Sequence, residues 1–267
     1  MMSPLFESLV RNSLSLMPID DEDSPLLVDE GKTLANAEAS EEPKFKLQLN
    51  DKEIIVDELV DLMAYPRIRT VRDLQLDRNE FGDPGAALLA GSPALSRLVS
   101  LSLALNKLSD ATAHALASSS TLSRLRHLYL QGNLITPLGL ESLAASATLA
   151  HLEILYLRGN PLGPEGARVL SRSPVWRDLR ELYLQQTRMG NEGLAALCET
   201  NILSGVKVLA LAQNRLDDEA AELLAGCSAL QNVVTLDLCG NRLSEAAQEK
   251  IKNSPNLKSL KALQVDW

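Results

Sequence analysis

The stretch LRHLYLQGNLI, residues 125–135, decides how this chain folds. Leu128 and Leu130 bracket Tyr129, and Asn133 follows three places after the second leucine. Two apolar residues separated by one have the period of a β-strand, which sends both leucines to one face and the tyrosine to the other. The same stretch returns every 27 residues without an insertion, starting at Val71, Leu98, Leu125, Leu152, Leu179, Val206 and Val233. One leucine column runs through Leu74, Leu101, Leu128, Leu155, Leu182, Leu209 and Leu236, and a second through Leu76, Leu103, Leu130, Leu157, Leu184, Leu211 and Leu238. Asparagine fills the next marked column at Asn79, Asn106, Asn133, Asn160, Asn214 and Asn241, with Thr187 the one departure. Self-similarity at this period marks a solenoid, in which each unit buries its apolar face only against its neighbours.

The remainder of each unit reads as a helix and its return. Asp83 with Pro84 is expected to be an N-cap and first helical residue, an arrangement repeated at Thr136–Pro137 and Gly163–Pro164. A buried stripe at helical spacing follows at Ala86, Leu89 and Ala90, echoed by Ala113, Leu116 and Ala117 and by Ala167, Leu170 and Ser171. Trp176 stands in a column that is leucine in the six other units, so it reads as core and not as a binding aromatic. An asparagine amide after the strand can both donate to and accept from turn backbone, whereas threonine can do only part of that. A weaker turn is expected at Thr187.

The pattern LxxLxLxxNxL resembles the leucine-rich repeat, and a 27-residue unit with a helical second half is similar to its ribonuclease-inhibitor-like class. The resemblance covers residues 71–259. It implies an α/β solenoid, curved, with a parallel β-sheet on the concave face and helices on the convex face, and it says little about function. Residues 44–70 keep Leu47, Leu49, Ile54, Leu62 and Pro66 in frame but have Lys52 for the asparagine, so they read as a degenerate N-terminal capping repeat. Residues 260–267 read as a terminal strand with an open edge. Residues 1–43 lie outside the frame and are expected to be an acidic, largely disordered tail with a short amphipathic helix near Leu5, Phe6, Leu9 and Val10, either docked on the body or serving a partner.

Charge separates the tail from the body. The net charge is −9, but residues 1–43 hold ten acidic residues against Arg11 and Lys32, which leaves 24 basic and 25 acidic residues for the rest. A nearly neutral body provides no general field for nucleic acid. Three cysteines without metal-ligand spacing, no basic leader and no apolar run of membrane-spanning length point to a cytoplasmic protein with free thiols, away from membranes.

Between the leucine columns, the exposed strand position reads Gln75, Ser102, Tyr129, Tyr156, Tyr183, Ala210 and Asp237. Three tyrosines on neighbouring strands ~4.8 Å apart are expected to form an offset stack with hydroxyls toward solvent. His127, Ile154 and Glu181 flank them on one side, and Gln131, Arg158 and Gln185 on the other. Aromatic and arginine residues without lysine are the composition of an interface core, so these nine residues are the expected partner-binding site. A second column, Arg188, Arg215 and Arg242, reads as a dock for an acidic segment, and the chain's own DDEDSPLLVDE at 20–30 is one candidate occupant.

No catalytic or cofactor site emerges. GNPLGPEG at 159–166 lacks the Lys and Ser/Thr of a phosphate loop, and His114, His127 and His151 occupy different columns with no metal-ligating partner. The leading expectation is a non-catalytic module that binds a protein on its concave sheet. Two others stay open: regulation of an enzyme, such as nuclease inhibition or assistance to a small GTPase, both known among proteins it resembles; and a homo-oligomeric scaffold joined through the C-terminal edge strand, with Trp267 as the adhesive residue.

Overall fold

The computed structural model describes residues 2–17 and 44–265. Each 27-residue unit forms one coil, in which a short strand leads through a tight turn into a helix that returns the chain. The strands of the seven units are β3 (Val71–Gln75), β4 (Ser100–Ser102), β5 (His127–Tyr129), β6 (Ile154–Tyr156), β7 (Glu181–Tyr183), β8 (Val208–Ala210) and β9 (Thr235–Asp237). Their helices are α3 (Gly82–Gly91), α4 (Asp110–Ala117), α5 (Pro137–Ala144), α6 (Gly163–Ser171), α7 (Gly190–Cys198), α8 (Asp218–Gly226) and α9 (Glu245–Lys252). A preceding coil supplies β2 (Phe45–Gln48) and α2 (Val56–Ala64), and β10 (Ala262–Gln264) ends the sheet. From β2 onward the strands are parallel and follow chain order, and from β3 onward equivalent residues stand side by side, as in Leu101, Leu128 and Leu155. The sheet is open.

Both leucine columns are buried, and Leu128, Leu130, Leu155 and Leu157 have no exposed surface. Trp176 joins this core at 1% exposure, its indole N–H donating to Leu149 O at 3.2 Å. The asparagine column stitches the coils together. Asn133 Oδ1 accepts from the backbone of Asn106 and Leu108, while its Nδ2 donates to Leu103 O and Leu130 O. Each such side chain therefore satisfies buried backbone groups in two coils, groups that would otherwise be orphaned.

Helix starts differ from the expectation for two of the three quoted sites. Thr136 is the N-cap of α5 and accepts from Leu138 N, but α3 and α6 begin at Gly82 and Gly163 with Phe81 and Leu162 at the cap position. Gly82 and Gly163 have φ of +61° and +59°, a left-handed conformation that glycine adopts without a Cβ penalty. Asp83 instead caps the next coil: its carboxylate accepts from Ser109 N, Ser109 Oγ and Thr112 Oγ1. Asp110 does the same for Thr136, and Asp218 for Ser244.

Residues assigned by sequence to the tail include two ordered elements. Helix α1 (Pro4–Asn12) starts at Ser3, whose Oγ accepts from Phe6 N, and it buries Phe6 and Val10. Strand β1 (Leu14–Leu16) then pairs antiparallel with β2, Leu14 opposite Leu47. The sheet edge that the degenerate coil leaves open is thus covered by the chain's own start. The acidic stretch 20–30 and Trp267 lie outside the described residues.

Candidate functional site: the concave sheet

The site is built by register. Because β5, β6 and β7 align residue for residue, Tyr129 stands beside Tyr156 and Tyr156 beside Tyr183. The Tyr156 and Tyr183 rings stack, with centroids 3.6 Å apart and planes 14° apart; Tyr129 and Tyr156 are looser, at 5.0 Å and 35°. All three are half-buried. The hydroxyls are not uniformly free, as a simple solvent-facing stack requires: Tyr183 Oη donates to Glu181 Oε2 at 2.8 Å. Burial pushes the Tyr129 phenol up to about 12, and burial also raises Tyr156 and, together with bonds to Tyr156 and Glu181, Tyr183. The ladder is uncharged at neutral pH.

The flanking residues share this face. His127 and Ile154 are half-buried beside Tyr129 and Tyr156, and Glu181 is held by Tyr183. Burial lowers the His127 pKa against the pull of Glu153, Asp73 and Glu181, so the imidazole is neutral at pH 7. On the other side Arg158 is exposed between half-buried Gln131 and Gln185, its Nε donating to Gln186 Oε1 at 3.3 Å.

Sequence reading missed how polar atoms are left on this sheet. Among the described residues, the buried side-chain atoms without a hydrogen-bond partner are Asp73 Oδ1, His127 Nδ1, Gln131 Oε1 and Gln185 Oε1, and all four residues belong to concave positions. Three of the four atoms are oxygens that only accept. Asp73 is 1% exposed, and burial raises its carboxyl above the usual range despite Lys46 Nζ at 3.6 Å. Its column, Asp73, Ser100, His127, could have drawn attention to this end of the sheet.

The rim arginines Arg188, Arg215 and Arg242 stand apart from these nine residues, exposed on the turns after β7, β8 and β9. Among the described residues no group of His, Cys, Asp and Glu could hold a metal ion. None of Cys198, Cys227 and Cys239 is in a disulfide; the first two meet across neighbouring coils, where the hydrogen bond with Cys227 and burial push the Cys198 thiol up. No helix among the described residues is long and apolar enough to cross a membrane.

These features define a class: an open solenoid that lines up equivalent residues of successive coils on one parallel sheet. Residues 67–90, 122–144, 148–171 and 177–198 match the Leucine Rich repeat family, and the coils they form are leucine-rich repeats. No curated protein matches its sequence. Among solved structures, a chain of the yeast Rad7 and Elc1 complex is 18% identical with a TM-score of 0.53, over 80% of this chain and 58% of its own length. An internalin, inlF, from Listeria monocytogenes is 21% identical with a TM-score of 0.48, over 81% and 57%. A chain of the TLR13–ssRNA13 complex is 19% identical with a TM-score of 0.45, over 79% and 27%. The chain therefore spans under two thirds of the length of each of these.

Proposed function

We propose that this protein is a non-catalytic recognition module of the ribonuclease-inhibitor-like class, which binds a protein partner on the concave sheet around Tyr129, Tyr156 and Tyr183. The observation that carries this is the stacked, half-exposed ladder at a position where flanking coils manage with Ser102 and Ala210. Aromatic rows of this kind are not needed to form the sheet, and they supply large contact area at low entropic cost when a partner covers them. The unpartnered atoms of His127, Gln131 and Gln185 support the same reading. Their side chains are half-exposed, so a rotation brings these atoms to the surface, where N–H donors of a partner can satisfy them. A donor-rich protein surface fits. Cysteines outside any disulfide suit a reducing compartment, and the cytoplasm is the proposed location.

Affinity capture from the source organism's lysate, followed by titration of the captured protein, tests the site. Tyr156→Ala is expected to weaken binding by about 2 kcal/mol or more, as a central anchor does, while Tyr156→Phe keeps the stack and most of the affinity. A loss of a few tenths with an unchanged melting curve removes the ladder from the interface.

A further inference from the structure

Several charges on this solenoid are paired between coils. Lys107 Nζ pairs with Glu80 at 2.8 Å, Arg78 with Asp51 at 3.2 Å, and Arg126 with Glu153, Arg168 with Glu192 and Lys250 with Glu222 likewise. Each pair joins neighbouring repeats. In the turn column Arg188, Arg215 and Arg242, three cations stand at equivalent positions on three consecutive coils, all exposed, and none has an ion pair among the described residues. Towards the N-terminus the same column holds the compensated pair Glu80 and Lys107, then exposed Leu134 and Pro161. Like charges one coil apart repel, and an anionic group lying across them turns that repulsion into attraction.

We propose that Arg188, Arg215 and Arg242 form a docking strip for an acidic helix of a partner protein, separate from the tyrosine ladder. The pitch supports a helix. Parallel strands are ~4.8 Å apart and a helix advances ~5.4 Å per turn, so carboxylates at i, i+4 and i+7 meet successive arginines. Guanidinium groups favour carboxylates in two-point contact, and arginine in all three coils suits that geometry better than lysine.

The chain's own acids are poorly placed to fill the strip. Both ends of the segment 18–43 are pinned at the N-terminal edge of the sheet, where Met17 N donates to Lys44 O at 2.9 Å. Asp20 to Asp23 lie within six residues of Met17, and Glu38, Glu41 and Glu42 within six of Lys44. Six residues span at most ~20 Å. Arg188 follows β7, five strands from β2 or about 24 Å, and the other two arginines are farther. Asp29 and Glu30, at least twelve residues from Met17 and from Lys44, have the longest tethers. Nucleic acid is a weaker match, since the chain carries −9 overall and the strip offers three cations.

The test is fluorescence anisotropy of the full chain with two labelled helical peptides of alanine and glutamine, each bearing three glutamates. One peptide places them at i, i+4 and i+7, and the other spreads them around the helix. Saturable binding of the first is expected, weaker by at least fivefold for the second and falling as salt rises from about 50 to 200 mM. Arg215→Glu is expected to weaken it about tenfold, and reversal of all three arginines to abolish it without moving the melting temperature, because the side chains are exposed. Tyr156→Ala should leave it unchanged, which separates this strip from the concave site. Equal affinity for the two peptides, indifference to the triple reversal, or a loss with Tyr156→Ala overturns the proposal. So does preference for an oligouridylate of equal charge, or tighter peptide binding after Asp29→Asn and Glu30→Gln, which assigns the strip to the chain's own segment.

Discussion

Thr187 shows what one side chain is worth in a repeating turn. Its hydroxyl donates to Leu184 O and contacts Asn214 Oδ1, but nothing from Thr187 reaches Leu157 O in the preceding coil, which takes both the side-chain amide and the backbone N–H of Asn160. In the regular turns the equivalent carbonyl takes a side-chain amide from the next coil, as Leu130 O does from Asn160 Nδ2. Thr187→Asn restores the missing donor and is expected to stabilise the protein by about 1 kcal/mol, seen as a higher urea midpoint with unchanged slope. A lower midpoint means the turn has closed around threonine and has no room for the amide. Asp83 carries a pH dependence of definite sign. Burial would raise its carboxyl, but hydrogen bonds from Ser109 and Thr112 outweigh that and hold it below the usual carboxylate range. Its contribution is therefore fully present above the unfolded pKa of about 3.9 and is lost as pH falls through the lower folded value. Asp83→Asn should lower the urea midpoint at pH 7 and flatten its decline below about pH 4. An identical decline in variant and parent places the acid sensitivity elsewhere.

Among the elements, α1 and β1 do most to change the picture of this chain. A solenoid end exposes a leucine-lined coil and an unpaired strand, and natural edges are covered or blunted to prevent association. Here the cover comes from the antiparallel pairing of β1 with β2 and from Phe6 and Val10, 4% and 0% exposed, on the inner face of α1. Phe6→Ala removes a buried ring worth about 3 kcal/mol or more. Because only neighbouring coils touch, amide exchange is expected to quicken in residues 4–16 and 45–49 while β5 to β8 keep their protection. Uniform acceleration through the sheet would show that the cap and the repeats unfold as one unit. At the other end β10 joins β9 in parallel, whereas β1 joins β2 antiparallel, so the two ends of the sheet are not finished in the same way.

At the scale of the molecule, stability is a chain of nearest-neighbour interfaces, and each leucine column is a continuous wall through all of them. A break in the middle is felt from both sides. Leu155, fully buried between β5 and β7, is expected to cost about 2–5 kcal/mol as alanine and to split the denaturation curve into two steps as the halves uncouple. A single sharp transition at lower urea would show that coupling between coils survives the loss. The same alignment gives function its geometry, since a residue type repeated at one column becomes a surface stripe. Tyrosines of β5, β6 and β7 make one on the sheet, and arginines of the turns after β7, β8 and β9 make another on the rim.

Local chemistry repeated at 27 residues was enough to read the coil, the parallel register, the buried columns and the row of tyrosines, because each of those follows from the alternation of a strand or the spacing of a helix. What it left out involves contacts made once or made between coils. Asp83 looked like the cap of its own helix and proved to hold the next one, since the distance that matters is across 26 residues and not three. The stretch around Phe6 matched no repeat, so nothing in its period revealed the end face it covers. Likewise the rings of Tyr156 and Tyr183 close to 3.6 Å while Tyr129 stays tilted, and His127, Gln131 and Gln185 are left short of partners. Such outcomes depend on how neighbouring side chains share limited space once the coils are stacked, and packing alone decides that.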